Sequence, residues 1–206
     1  MNYLAQSLAR VGQVVTGSLV AGSIAFGGLA LTGLQLGSPS PTLAAAVPPP
    51  AWEAARVTRV VDGDTYEVLT GGQVLRVRLL GVDAPEHDQA FGLQATDSAM
   101  VLLRGRLVRL QRHGTDLYGR TLSRLRLAGS TTSAGGGAVD SLLVVRGWAW
   151  AFDPGRVLAE RQPEQVTAQR AGRGLWKCGV AAALPPKVWR GFTATIKRRY
   201  GVGCTW

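Results

Sequence analysis

The sequence predicts a mainly β domain of the α+β class, a five-stranded barrel with three helices that follows a separate apolar segment. Short runs of apolar and β-branched residues, separated by Gly- and Asp-rich turns, begin at Arg56 and indicate the strands. One stretch between the third and fourth runs instead has apolar residues at helical spacing. With 206 residues, of which 46% are hydrophobic, the chain is large enough to bury one core.

Five runs rich in Val, Leu and Thr are predicted as the strands of the barrel. They cover residues 57–61, 66–69, 74–80, 107–111 and 121–127. Turn residues separate most of them, with Asp-Gly-Asp at 62–64, Gly-Gly at 71–72 and Asp-Leu-Tyr-Gly at 116–119. Short strands at this spacing are typical of a small closed sheet.

Three helices are predicted from apolar spacing and from residues that favour helix ends. The first covers residues 93–103, and the second begins at Leu142 and ends at Gly147. The third follows Pro163, which suits the first turn of a helix, and stops at Gly172 or Gly174. A helix inserted between strands of a five-stranded barrel is the pattern of an OB-fold, while residues 130–137 are expected to form a flexible loop.

The first 46 residues are predicted to lie outside the barrel. Residues 11–52 contain no charged side chain, and the apolar part of this stretch is long enough to enter a membrane. Three alanines at 44–46 fit the small-residue pattern of a signal peptidase site. We interpret residues 1–46 as a signal peptide or an uncleaved membrane anchor, with cleavage favoured, and residues 47–55 as a Pro-rich linker. The domain is therefore expected to be secreted or to lie in the periplasm or envelope.

Charge and cysteine content exclude several classes of protein. The formal net charge of +10, from 23 Lys and Arg against 13 Asp and Glu, indicates a polyanionic partner or simply a basic soluble surface. Two cysteines and two histidines are too few for a disulfide-rich scaffold or the usual four-ligand zinc site.

Three motifs place short charged side chains beside predicted strands. They read Val-Val-Asp-Gly-Asp-Thr at 60–65, Arg-Leu-Leu-Gly-Val-Asp-Ala-Pro-Glu at 78–86 and Thr-Asp-Leu-Tyr-Gly-Arg at 115–120. Each motif alone is explained by an ordinary turn. Their joint occurrence in this order on a small barrel indicates one shared site.

These motifs resemble those of the staphylococcal nuclease family. The resemblance runs from about Arg56 to Trp176 and includes the Gly-Leu-Trp at 174–176 that closes the family domain, so we expect the nuclease domain to cover residues 56–178. It implies an OB-fold that acts as a calcium-dependent phosphodiesterase on DNA and RNA, with little sugar specificity. DNA and RNA are thus the expected substrates and Ca²⁺ the expected cofactor, and we expect a monomer.

The resemblance also assigns roles to individual residues. It implies that Asp64 and Asp83 bind the metal through their carboxylates and that Ala84 binds it through its backbone carbonyl. Many family members have Thr at the position of Ala84, but a carbonyl ligand survives this change. Arg78, Glu86 and Arg120 match the catalytic positions, and Tyr118 matches a tyrosine near the substrate phosphate.

The residue types suit this chemistry. Calcium prefers oxygen ligands, although magnesium and manganese would also accept them. Arg78 and Arg120 can each donate paired hydrogen bonds to a phosphate and so stabilise the charge of the transition state. Glu86 would act on the attacking water, either as a general base or by positioning it.

Other polar residues near the motifs have two interpretations. Asp62 either holds a metal-bound water or closes the turn, and Asp116 is expected to order its hairpin. Tyr118 has an alternative as a half-buried barrel residue. His87 and His113 are expected to be surface residues without a catalytic partner.

Residues 179–206 are predicted to form a basic, aromatic tail. Residues 185–206 carry five Lys and Arg and no acidic residue. The tail is either a nucleic-acid-binding arm or, as we favour, a segment whose aromatic residues pack on the barrel. Cys178 and Cys204 either form a disulfide, as an exported protein would allow, or remain a free pair.

A second function stays open at this point, a non-catalytic nucleic-acid-binding OB-fold module at the cell envelope. A third, an envelope-anchored structural protein, explains the leader but none of the motifs. The nuclease is favoured because the whole reactive set is present in the sequence, namely Asp64, Arg78, Asp83, Glu86 and Arg120.

Overall fold

The structure, a computed structural model, describes residues 50–129, 137–156 and 159–200. The predicted leader at 1–46, most of the predicted loop at 130–137 and Cys204 lie outside these ranges. No helix within the described ranges is long and apolar enough to cross a lipid bilayer.

The strands of the described residues close into a barrel with a small two-stranded sheet beside it. They are β1 (Trp52–Val60), β2 (Thr65–Thr70), β3 (Gln73–Leu79), β4 (Val82–Asp83), β5 (Leu107–Thr115), β6 (Thr121–Leu127) and β7 (Trp150–Ala151). The barrel closes in the order β1-β2-β3-β6-β5, through antiparallel pairs and one parallel pair between β3 and β6. β4 pairs with β7 outside the barrel. The predicted five-stranded barrel is confirmed.

Side chains along each barrel strand point alternately inward and outward, and the inward ones form the core. Most inward positions are apolar and buried, whereas outward positions such as Arg59, Arg76 and Arg109 are exposed. Burying each large aliphatic side chain stabilises the fold by about 1.5–3 kcal/mol. The fully buried strand residues are Val57, Tyr66, Val68, Val77, Leu79, Val108, Leu110 and Leu125.

The first strand begins earlier than the sequence predicts. Trp52 pairs with Gln111 and Ala55 with Val108, so residues 52–55 belong to the barrel. The prediction of a linker over 47–55 is wrong for these four residues. They form a strand because β5 supplies pairing partners and because Glu53 forms an ion pair with Arg112, at 2.5 Å.

The three predicted helices are present, and two more α-helices follow them within residues 159–200. The helices are α1 (Gly92–Leu103), α2 (Val139–Val145), α3 (Gln162–Arg170), α4 (Pro186–Arg190) and α5 (Ala194–Tyr200). Helix α2 begins three residues earlier than predicted. Helix α1 buries Ala95, Ala99 and Leu103 against the rest of the domain.

The Gly-Leu-Trp at 174–176 is fixed by close backbone packing. Gly174 has a φ of 53°, and a Cβ atom there would lie 2.2 Å from the carbonyl oxygen of Gly147. Only glycine fits such an approach. The turn buries Trp176, whose ring packs edge-on against Trp150 at 4.4 Å between centroids.

Candidate active site

The predicted site residues converge on one cleft of about 850 Å³. They come from four places on one side of the barrel: the β1–β2 turn, the end of β3, β4 with the loop after it, and the β5–β6 hairpin. All seven line the cleft, namely Asp64, Arg78, Asp83, Ala84, Glu86, Tyr118 and Arg120. The structure therefore brings together residues that are up to 56 positions apart in the sequence (120 minus 64).

Packing and hydrogen bonds fix the turn that carries Asp64. The fully buried Tyr66 donates its hydroxyl to the carbonyl of Gly63, at 2.7 Å. Asp62 accepts the backbone N–H of Asp64, at 3.0 Å, so the interpretation of Asp62 as a turn-closing residue fits the structure. The Asp64 carboxylate in turn accepts the N–H of Ala84, at 2.6 Å. The turn is thereby tied to the start of the next motif.

Arg78 joins the two carboxylates that are predicted to bind metal. Its guanidinium lies 3.0 Å from Asp64 and donates a hydrogen bond of 3.0 Å to Asp83. It also donates to the backbone carbonyls of Leu79 and Val82. The side chain is only 13% exposed. In this arrangement Arg78 organises the carboxylates, and its two terminal nitrogens already contact protein oxygens.

Burial raises the pKa of Asp64 to about 7, an effect that neighbouring Asp62 and Asp83 increase and Arg78 opposes. A buried carboxylate that is costly to ionise gains strongly from a nearby cation. In this structure the guanidinium of Arg78 is the cation that stabilises the ionised form of Asp64.

The donor set fits a hard divalent cation. Asp64 and Asp83 are almost fully buried yet line the cleft, and one guanidinium bridges them. Ala84 adds a backbone carbonyl in the same segment. No group of three or more His, Cys, Asp or Glu is placed to hold a metal within the described ranges. A bound ion would therefore depend on these two carboxylates, a carbonyl, water and substrate oxygens, a set that suits Ca²⁺.

Glu86 lies on the loop between β4 and α1, and close packing sets its position. A Cβ atom at Gly92 would lie 1.8 Å from the Glu86 carbonyl oxygen, so the loop and the helix are in direct backbone contact. The N–H of Glu86 donates to Gln89. Its carboxylate accepts a hydrogen bond from Arg190, at 2.5 Å. Sequence reasoning did not connect Arg190 with this site.

Arg120 is held by the hairpin that bears it. Asp116 accepts the backbone N–H of Tyr118 and of Arg120, both at 2.9 Å, and the Nε–H of Arg120, at 2.7 Å. These bonds hold the pKa of Asp116 below its usual value although its burial acts in the opposite direction. The predicted ordering role of Asp116 fits this geometry. Arg120 also donates to the Thr65 hydroxyl, at 3.3 Å.

Tyr118 is 84% exposed at the tip of the hairpin, so its alternative interpretation as a half-buried barrel residue is wrong. The guanidinium of Arg120 lies 5.5 Å from the centre of its ring. An exposed aromatic ring beside an arginine at the mouth of the cleft can contact a nucleotide base or phosphate.

Of the two histidines, His87 lines the rim of the cleft and His113 does not. His87 and His113 are both exposed, as predicted. His113 contacts Gln111 on the barrel surface, where partial burial lowers its pKa.

Comparison with known proteins identifies the family of the chain. A family model described as staphylococcal nuclease homologue matches residues 76–178. An uncharacterised endonuclease of Escherichia coli O157:H7 is 35% identical over 135 residues, which cover 66% of this chain and 83% of the relative. A micrococcal nuclease of Shigella flexneri is 36% identical over 135 residues, which cover 62% of this chain and 76% of the relative. A thermonuclease of Staphylococcus intermedius is 42% identical over 79 residues, which cover 34% of this chain and 47% of the relative. With its closed barrel and these relatives, the chain belongs to the staphylococcal nuclease family of nucleic-acid hydrolases.

Proposed function

We propose that this chain is an exported, calcium-dependent nuclease that hydrolyses phosphodiester bonds of DNA and RNA with little sugar specificity. The observation that carries the proposal is the convergence of two buried carboxylates, Arg78, Arg120 and Glu86 on one cleft. A binding module needs the cationic groups but has no use for buried carboxylates, which repel a phosphate.

Each residue has a task that its position supports. Asp64, Asp83 and the Ala84 carbonyl would hold Ca²⁺, which when bound would neutralise charge on the scissile phosphate. Arg120 is pre-oriented by Asp116 and would donate to the phosphate oxygens, whose negative charge grows in the transition state. Tyr118 would contact the substrate at the mouth of the cleft.

Arg78 and Glu86 act closer to the reacting groups. Glu86, at the edge of the cleft, would accept a proton from the attacking water or position that water. Arg78 would keep the two buried carboxylates side by side and donate its remaining guanidinium N–H groups to the phosphate. Removing one preorganised donor of this kind costs about two to three orders of magnitude in rate.

Export has its own support. Cys178 is disulfide-bonded, and disulfides are rare in the cytosol. Cys204, the other cysteine of the sequence, lies outside the described residues. The uncharged apolar stretch within residues 1–46 supports a secretory leader. Amino-terminal sequencing of the protein recovered outside the cytoplasm tests this, and a start near residue 47 is expected if the leader is cleaved.

The metal and its ligands are tested by one set of cleavage assays. The chelator-stripped full-length chain is incubated with single-stranded DNA or RNA in Ca²⁺, in Mg²⁺ or in chelator. We expect cleavage with Ca²⁺ and none with chelator, and a loss of at least about a hundredfold in D83N. The control is D97N, which makes the same change on the exposed face of α1. If D83N cleaves as fast as D97N, or if the wild type binds DNA without cutting it, the proposal fails.

A further inference from the structure

The last described part of the chain, residues 184–200, packs against the loop that carries Glu86. We call it the C-terminal segment. Trp189 is 2% exposed and donates its indole N–H to Asp88, at 2.8 Å. Lys197 contacts the other oxygen of Asp88, also at 2.8 Å, and lies 5.1 Å from the centre of the Trp189 ring. These contacts support the favoured prediction that the aromatic residues of the tail pack onto the domain.

Hydrogen bonds with Asp88 and Gln89 hold the short helices of the C-terminal segment in place. The hydrogen bonds from Lys197 and Trp189 hold the pKa of Asp88 below its usual value. Gln89 donates to the carbonyl of Leu184, at 2.6 Å. Both ends of the segment are thus bound to the active-site loop through contacts that lie outside the cleft.

Arg190, next to the buried Trp189, extends from this anchored helix into the active site. Its guanidinium donates to both oxygens of Asp83, at 3.0 and 3.3 Å, and to Glu86, at 2.5 Å. Pairing with these two carboxylates raises the pKa of Arg190, although its partial burial acts in the opposite direction. One cation of the C-terminal segment therefore bridges a proposed metal ligand and the proposed catalytic carboxylate.

Guanidinium groups take up most of the acceptor sites of Asp83, so a metal ion at this carboxylate would compete with them. Its oxygens accept hydrogen bonds from Arg78 on one side and from Arg190 on the other. A divalent cation at Asp64 and Asp83 needs lone pairs that these guanidinium groups now occupy, and like charges a few ångströms apart repel strongly when partly buried. Arg78 is 13% exposed and fixed by two carbonyls, whereas Arg190 is 47% exposed and able to move.

We propose that Arg190 is a positioning residue that acts as a built-in counter-cation: it competes with the divalent metal for Asp83 and holds Glu86 until the site is loaded. The proposal rests on the proposed function, because it concerns the same metal site. Arg190 lowers the affinity for the metal and keeps the unloaded carboxylates paired. Loading the site with metal and substrate releases Glu86 from Arg190, so that its carboxylate becomes available to water.

The proposal is tested by measuring calcium binding directly. Isothermal titration calorimetry follows Ca²⁺ binding to the chelator-stripped full-length chain and to R190Q, R190K and K187Q. Lys187 lies on the same helix and is exposed, so K187Q removes the same charge from the segment at another position. We expect R190Q to bind Ca²⁺ at least about tenfold more tightly than the wild type and K187Q to stay within about twofold. R190K keeps the positive charge but loses the paired N–H donors, so its calcium affinity is expected to lie between those of R190Q and K187Q.

Calcium affinity in R190Q that is equal to or weaker than in the wild type would overturn the proposal, and so would an equal gain in K187Q. An equal gain in K187Q would mean that only the overall charge of the segment matters. Thermal unfolding of R190Q checks that the segment remains docked, and R190K provides a second variant if R190Q does not fold. Failure of the proposed function has a different signature, because the wild type would then cleave without calcium or not at all.

Discussion

Asp116 provides a sharp test of how the β5–β6 hairpin prepares Arg120 for catalysis. One of its oxygens accepts two backbone N–H groups of the hairpin, and the other accepts the Nε–H of Arg120. D116N keeps an oxygen for the backbone bonds but places an amide NH₂ group opposite Arg120. D116A removes both sets of bonds. D116N therefore tests the orientation of the Arg120 guanidinium alone, whereas D116A also tests the shape of the hairpin.

The expected magnitudes follow from exposure and bond type. The side chains of Arg120 and Asp116 are 25% and 16% exposed, so the free energy of unfolding that depends on their ion pair is about 1 kcal/mol. Loss of the two backbone bonds as well brings the cost for D116A to about 2–4 kcal/mol. Because D116N leaves the charge of Arg120 in place but frees it to rotate, its cleavage rate falls about tenfold, whereas R120A loses about a hundredfold to a thousandfold.

Two measurements on each variant test this reasoning. Denaturant unfolding gives the free energy of unfolding, and initial rates on a short single-stranded DNA give the loss of activity. The expected order of activity is wild type, D116N, D116A and then R120A. If D116N cleaves at the wild-type rate while R120A is severely impaired, the Asp116 contact does not orient Arg120 and the argument is refuted.

The other predictions concern stability and the position of Glu86. L125A, at a fully buried barrel position, should lower the free energy of unfolding by about 2–5 kcal/mol in a denaturant titration. G92A should lower both stability, by about 1–3 kcal/mol, and the cleavage rate, because a Cβ atom at Gly92 meets the Glu86 carbonyl at 1.8 Å; unchanged activity would contradict this. The pKa of Asp64, raised from 3.8 to about 7, means that the folded state holds a proton which the unfolded state has lost. In chelator, stability should therefore fall as the pH rises through this window, and D64N should remove that part of the slope.

Local patterns were enough to predict the barrel and most of the site. The charged residues of the three motifs lie within a few positions of strand ends. Pairing of neighbouring strands therefore brings them to the same side of the barrel. Asp64 and Asp83, for example, are positioned by the turn after β1 and by β4, and each is held within its own motif or by the next one. Such short-range geometry is visible in the sequence.

Features that depend on distant packing could not be predicted in this way. The first half of β1 contains Glu and Ala, which are poor strand formers, and it is a strand because of β5. Helices α4 and α5 have only 5 and 7 residues, too few for a clear apolar period, and they depend on tertiary contacts. Arg190 reaches Glu86 across 104 positions, and the docking of the C-terminal segment through Leu184, Trp189 and Lys197 brings them together.

The measurement that tests the central claim most directly is cleavage by E86Q alongside its calcium affinity. E67Q is the matched control, because Glu67 pairs with Arg59 on the barrel surface, away from the cleft. We predict that E86Q still binds Ca²⁺ and cleaves single-stranded DNA at least about a hundredfold more slowly than the wild type, with E67Q unchanged. A rate for E86Q within a few-fold of the wild type would contradict the assignment of this cleft as the active site.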